Sequence, residues 1–189
     1  MTIGAGNVTG AIGTSGGNKL KEVNFNGASN VTSIDATTVK ISNVAANVTA
    51  TEQISGAVSY TADGKLTANN RISGSVTTAT NDTGILIFSR NGSVTDNIGE
   101  NGAALEKVIF KGVDTIEGAA YAQTFTIANA NVTVKGLMTG NVNYEADGTL
   151  APEGIIGDID FKGTNGTFSM NDGRAIDGAV LRPAGLAVF

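Results

Sequence analysis

The residues of this sequence best suited to chemistry are two aspartates that recur in nearly the same surroundings. Asp63 lies in "ISGAVSYTADGKL" (54–66) and Asp147 lies in "MTGNVNYEADGTL" (138–150), at an offset of 138 − 54 = 84 in the numbering. Two carboxyls roughly 5–10 Å apart in unlike environments are the machinery of a glycosidase. Each aspartate is, however, followed by glycine between alternating polar and apolar residues, which indicates a tight turn. We favour the turn for both and keep the carboxylate pair as the alternative.

A second set of acidic residues could form a calcium site near the C-terminal end of the sequence. It consists of Glu153, Asp158, Asp160 and Asp177. Calcium needs about six to eight converging oxygen ligands. The sequence does not show convergence, and the glycine-rich nonapeptide repeat that binds calcium is absent. We therefore assign no metal residue.

A phosphate loop is also rejected. The segment "GTSGGNK" (13–19) lacks the G-x-x-x-x-G-K-[ST] frame, and no helical pattern follows it. No catalytic or cofactor-binding residue and no cofactor are predicted.

The amino-acid composition excludes several classes of catalytic and metal site. The 189 residues include no cysteine and no histidine. This removes disulfides, a thiol nucleophile, the Ser-His-Asp triad and the usual zinc ligands. The net charge of −5 is spread without blocks, so no basic patch predicts a nucleic-acid partner. The chain is expected not to be an enzyme.

The elements that must position these residues are repeated along the chain. The kernel is an apolar residue, a small or polar one, glycine, any residue and a second apolar one. Clear or weak copies start at 8, 31, 54, 72, 94, 116, 138, 155 and 176, with a mean step of (176 − 8)/8 = 21. Longer similar segments group the copies into ancestral blocks at about 8–93 and 94–175, with a partial third block at 176–189. Internal repetition of this kind is typical of solenoids.

A step of this size predicts an all-β parallel β-helix of about nine coils, forming one domain over residues 1–189. The step is too short for a βαβ unit of roughly 30 residues, and like strands of successive coils would stack in parallel. Only Ala103–Lys107 could be helical. Two inward ladders are predicted: Val8, Val31, Ile54, Ile72, Val94, Ile116, Met138, Ile155 and Ile176; and Val58, Val76, Ile98, Val142, Ile159 and Val180. The kernel glycines Gly10, Gly56, Gly74, Gly140 and Gly178 would either allow a crowded approach or simply face solvent.

The segments "NVTGAIGTSGGNKLKEVNFNGASNVT" and "AQTFTIANANVTVKG" resemble passenger-domain repeats of the rickettsial surface cell antigens, which are autotransporters of the outer membrane protein A and B type. The likeness covers most of residues 7–180. It implies a secreted β-helical passenger at the bacterial cell surface, carried there by a C-terminal barrel. It also implies adhesion to host cells or a surface-layer role, with a host-cell surface protein or neighbouring surface proteins as partners.

The sequence departs from that family at both ends. No signal peptide precedes the first kernel and no run of amphipathic barrel strands follows the last. We therefore expect a fragment of a passenger, with membrane attachment only through a barrel that this chain lacks. The alternative is a fragment of a carbohydrate-active β-helix enzyme, either a polysaccharide lyase or a glycosidase.

Overall fold

The computed structural model describes residues 1–14, 19–170 and 174–182, and within these ranges every regular element is a β-strand. The strands are β1 (Thr2–Ile3), β2 (Gly6–Ile12), β3 (Leu20–Phe25), β4 (Ser29–Ile41), β5 (Asn47–Ala50), β6 (Ile54–Tyr60), β7 (Lys65–Ala68), β8 (Val76–Thr78), β9 (Ile85–Phe88), β10 (Ser93–Val94), β11 (Leu105–Phe110), β12 (Val113–Ile116), β13 (Ala120–Ile127), β14 (Asn131–Tyr144), β15 (Thr149–Ile156), β16 (Ile159–Asp160), β17 (Thr167–Phe168), β18 (Ile176–Asp177) and β19 (Val180–Leu181). The named strands pair in parallel.

The strands wind into a parallel β-helix with three faces, as the repeat predicts. The first face stacks ten levels: 6–8, 29–31, 47–50, 65–68, 85–88, 105–110, 122–127, 141–144, 159–160 and 180–181. The second face runs from 11–12 through 33–35, 54–55, 72, 93–94, 113–116, 131–134 and 149–152 to 167–168. The third runs from 2–3 through 20–25, 36–41, 57–60, 76–78, 98, 120–121, 138–139 and 154–156 to 176–177.

Coil length varies more than the mean step suggests. Val8 pairs with Val31, a step of 31 − 8 = 23, whereas Val142 pairs with Ile159, a step of 159 − 142 = 17. The solenoid thus has about ten turns where nine were predicted. The short helix predicted at Ala103–Lys107 is wrong, because Leu105 begins β11. There Leu105, Val108 and Phe110 are buried by the solenoid, and this burial overrides any local helical preference.

The core consists of side chains that alternate inward along each strand. In β9, Leu86 and Phe88 are fully buried while Ile85 and Ile87 are only partly so. Like residues then stack from turn to turn, and the rings of Phe88 and Phe110 lie 5.7 Å apart and nearly parallel. Because each coil buries its apolar side only against its neighbours, stability depends on these contacts between turns.

The predicted ladders exist in pieces but are wrongly joined. Some of their end members are also wrongly predicted as inward, since Val180 is 54% exposed and Val8 and Ile176 are only partly buried. Val8 and Val31 lie on the first face; Ile54, Ile72, Val94 and Ile116 on the second; and Met138, Ile155 and Ile176 on the third. The other ladder splits in the same way, with Val58, Val76 and Ile98 on the third face and Val142, Ile159 and Val180 on the first. On the second face Ile116 is followed by Val134, not Met138.

The ladders break because one step in each block, Val31 to Ile54 and Ile116 to Met138, is longer than one turn by one face. In addition, the second block is turned by one face relative to the first. The kernel Ile54–Val58 bends from the second face to the third, whereas Met138–Val142 bends from the third face to the first. The offset between these two kernels therefore spans four turns and one additional face. The same shift holds for "LKEVNF" (20–25) on the third face and "LEKVIF" (105–110) on the first.

Glycine positions confirm that the two blocks repeat the same backbone. A Cβ on Gly56 would overlap the carbonyl oxygen of Ala36, and a Cβ on Gly140 would overlap that of Ala122. The crowded-approach interpretation is therefore right for these two glycines, and for Gly74 and Gly178, which also face backbone atoms of the preceding turn. Gly10 has open space around it.

Candidate binding surface

Asp63 and Asp147 are turn residues, as the Asp-Gly pattern predicts. Asp63 Oδ1 accepts a hydrogen bond from the backbone N–H of Gly84 at 3.0 Å, and Asp147 Oδ1 accepts one from Asn165 at 2.7 Å. Each carboxylate thus links its corner to the next turn. The two aspartates lie on different corners, four turns apart, or roughly 20 Å along the axis. They do not form a carboxylate pair.

A buried tyrosine accompanies each of these turns. The hydroxyl of Tyr60 donates to the carbonyl oxygen of Ile85 at 2.8 Å, and the hydroxyl of Tyr144 donates to that of Thr167 at 2.9 Å. Burial raises the pKa of both phenols. Both hydroxyls donate hydrogen bonds within the solenoid, so the duplicated corner has a structural role.

The proposed calcium ligands do not come together. Asp158 Oδ1 accepts the backbone N–H of Ala179 at 2.8 Å, and Asp160 Oδ1 accepts that of Lys162 at 2.8 Å. Glu153 forms an ion pair with Arg174 at 2.8 Å. Within the described ranges, no three acidic side chains are placed to hold a metal ion.

Asp63 has a different carboxyl neighbour, which the sequence pattern does not reveal. Burial raises the pKa of Glu106, and the nearby charge and hydrogen bonding of Asp63 raise it further. The two residues lie along one corner, on either side of Gly84, whose backbone N–H donates to Asp63 Oδ1. Two unequal coils separate Asp63 from Glu106 along the chain, so only the structural register brings them together.

Asp114 is the second acid that sequence reasoning missed. It is 1% exposed and points inward from β12 between the exposed Val113 and the partly exposed Thr115. Its Oδ1 accepts from Gly92 N–H at 2.8 Å and its Oδ2 accepts from Gly112 N–H at 3.3 Å. Burial raises the pKa of Asp114 to about 7, although these two hydrogen bonds lower it.

Three concave regions formed by described residues lie along or beside the second face. The widest, about 390 Å³, is lined by Ala11, Gly13, Thr14, Ser33, Ile34, Asp35, Gln53 and Ser55. One of about 250 Å³ lies near Lys135, Glu153 and Ser169, and one of about 180 Å³ lies near Asn7, Asn30 and Thr51. Their polar side chains can exchange hydrogen bonds with a ligand. The largest of the three, lined by the eight residues given above, is called the Asp35 groove. Of "GTSGGNK", Gly13 and Thr14 line it, while residues 15–18 lie outside the described residues.

Comparison with known proteins adds no relative: no family model, no curated protein and no solved structure matches this chain. In the described part of the chain, no helix has the length and apolar character needed to cross a membrane.

Proposed function

We propose that this chain is a structural and adhesive segment of a secreted bacterial autotransporter passenger, exposed at the cell surface. Its partner would be a host-cell surface protein or glycoprotein, or a neighbouring surface protein. The proposal combines the β-solenoid fold with the resemblance of residues 7–180 to rickettsial surface-antigen repeats.

The observation that carries the proposal is how the solenoid uses its acidic corner residues. Asp63, Asp147 and Asp158 each accept a backbone N–H from the following turn, and Asp114 accepts one from Gly92 of the preceding turn inside the core. Carboxylates that hold successive turns together favour a scaffold that is long and rigid. Such a scaffold presents a broad polar surface, and a broad surface suits adhesion through many weak contacts.

Bead adherence tests this function directly. Beads coated with the chain should adhere to cultured animal cells, and free chain should compete with them in a saturable manner. Beads coated with the Ile116→Asp variant, whose core would be disrupted, provide the unfolded control. Adherence no greater than that of this control would contradict the adhesive function.

A carbohydrate-active enzyme is the second candidate, and the contact between Asp63 and Glu106 is what favours it. A carboxyl with a raised pKa beside a second carboxyl is the kind of pair that supplies a general acid and a base. Cleavage of a glycoside would require the two carboxyls to stand roughly 5–10 Å apart around the bound substrate. The enzymatic alternative would therefore rest on Asp63 with Glu106 rather than on Asp63 with Asp147.

A matched pair of variants separates the two candidates. The adhesive function predicts no cleavage when the chain is incubated with a panel of neutral and acidic polysaccharides. Cleavage that is lost in Glu106→Gln and kept in Glu117→Gln would establish the enzyme instead. Glu117 is a suitable control because it forms only a surface ion pair with Lys135.

A further inference from the structure

We propose that the Asp35 groove binds a neutral, hydroxyl-rich ligand, namely a stretch of glycan chain. The inference deepens the adhesive function and rests on it, because it names the chemistry by which the surface would recognise its partner. The groove lies at the N-terminal end of the solenoid, where the second face turns into the third.

The groove contains a buried carboxylate oxygen that the described residues do not satisfy. The side chain of Asp35 is 10% exposed, and its Oδ1 receives no hydrogen bond from any residue within the described ranges. Lys19 Nζ lies 3.5 Å away, which is an ion-pair distance but longer than the roughly 2.7–2.9 Å of a charge-assisted hydrogen bond. A buried acceptor left in this state costs free energy, so it favours a ligand that can donate a hydrogen bond.

Next to Asp35 the groove carries a ladder of amide and hydroxyl groups. Gln53 Nε2 donates to Ser55 Oγ and to Ser73 Oγ, both at 3.0 Å. Because the two serines accept these bonds, their own hydroxyl protons remain available to a ligand. The side-chain oxygen of Gln53, Oε1, is available as an acceptor. The groove therefore offers both donors and acceptors in close succession.

The combination of a carboxylate, an ammonium group and neutral donors and acceptors limits the class of ligand that the groove can bind. The ammonium group of Lys19 already lies against Asp35 and donates to the carbonyl oxygen of Ser55 at 3.3 Å, so a cation would have to displace it. An anion would meet the charge of Asp35. A sugar hydroxyl is both donor and acceptor, and it can donate to Asp35 Oδ1 while accepting from Ser55. A volume of about 390 Å³ falls within the roughly 300–1,000 Å³ of small-molecule sites.

The second block provides an internal comparison. Gly13 faces the backbone of Asp35 as Gly99 faces that of Tyr121, which makes Tyr121 the counterpart of Asp35. By the offset that relates Ile54 to Met138, Leu137 is the counterpart of Gln53. The duplicated corner thus carries a tyrosine and a leucine where the first block carries a carboxylate and an amide. The fold does not require the polar pair, since the same backbone forms without it.

Titration of the ¹⁵N-labelled full chain with neutral trisaccharides of glucose, galactose or mannose, followed by NMR, tests the inference. At least one sugar should shift the backbone amides of Asp35, Gln53 and Ser55, with a dissociation constant of about 1 mM because the groove is open. Gln53→Ala and Asp35→Asn should each weaken binding at least tenfold. Gln53 is exposed, so its variant keeps the test valid if Asp35→Asn fails to fold.

The matched control is Glu153→Gln, in the other groove of the second face, which should bind the sugar as the natural chain does. No shift with any sugar, shifts outside the groove, or unchanged affinity in Gln53→Ala would overturn the inference. The same shifts on adding calcium chloride would mean a cation site and would also overturn it. Bead adherence without sugar binding would remove the groove inference alone, whereas sugar binding without adherence would remove the adhesive function alone.

Discussion

At the scale of single residues, the solenoid contains two buried aspartates whose surroundings differ. Asp114 and Asp35 are 1% and 8% exposed. Asp114 is satisfied by two backbone N–H groups, whereas Asp35 Oδ1 has no such donor among the described residues. The first is therefore a structural group with an altered pKa, and the second is the centre of a proposed binding site.

The raised pKa of Asp114 predicts that stability falls as pH rises. Its pKa is about 7 in the folded chain against 3.8 for an ordinary aspartate. Below pH 3.8 both states hold the proton. Between about pH 4 and 7 the unfolded chain releases it and the folded chain keeps it, so the free energy of unfolding decreases by at most about 4 kcal/mol. Above pH 7 the loss is complete.

Urea denaturation at a series of pH values measures this dependence. Asp114→Asn, which resembles the protonated carboxyl, should remove most of the decline. The raised pKa of Glu106 acts in the same direction, so a small slope should persist. Equal pH dependence in the natural chain and the Asp114→Asn variant would show that Asp114 titrates normally.

Gly56 and Gly140 lead to a second prediction at this scale. Alanine at either position would place its Cβ against a carbonyl oxygen of the preceding turn, at Ala36 or Ala122. Each variant should lose about 3 kcal/mol or more of unfolding free energy, because backbone atoms cannot move aside cheaply. Gly4→Ala, which meets no atom within 4 Å, is the control for thermal denaturation. Equal losses at Gly4 and Gly56 would contradict the close approach.

At the scale of the elements, the strands are short and each is stabilised by the turns above and below it. Ile116 in β12 is fully buried and pairs with Val94 on one side and Val134 on the other. No coil buries its own apolar side chains alone. A defect in one strand therefore weakens its neighbours.

Ile116→Asp should unfold several central turns, because it places an unpaired charge in the core. Thr115→Asp is the matched control, since Thr115 points outward from the same strand. Hydrogen exchange should show protection lost around 94–134 in the first variant and retained in the second. Ordinary protection in Ile116→Asp would show that this residue does not lie in the core ladder.

The sequence predicts where the strands lie better than it predicts which turns stack on each other. Alternation and kernel spacing correctly place Ile54, Ile72, Val94 and Ile116 in one ladder. They fail between Val31 and Ile54 and again between Ile116 and Met138, because a bend in the chain leaves no mark in the pattern and coil length varies. The same limit hides the contact of Asp63 with Glu106 and the burial of Asp35, since both depend on which turns stack together.

At the scale of the whole molecule, the duplication has an unusual geometry. The offset between the two blocks exceeds four turns by one face, so equivalent corners point in different directions around the rod. Ten levels at about 4.8 Å give a length of roughly 45 Å. Polar groups that differ between the blocks, such as Asp35 and its counterpart Tyr121, therefore face different sides, and the described part of the molecule has one Asp35 groove.

Engineered cysteines test the stacking of the turns most directly, because the natural chain has none. Thr115 and Thr133 are partners on adjacent turns, close to the Cα separation of about 4.4–6.8 Å that a disulfide needs. The double variant Thr115→Cys/Thr133→Cys should form an intramolecular disulfide on mild oxidation, detected by peptide mass mapping. Thr115→Cys/Leu137→Cys, the pair that the predicted stacking of Ile116 on Met138 would bring together, should stay reduced. A disulfide in the second variant and none in the first would contradict this stacking of the turns.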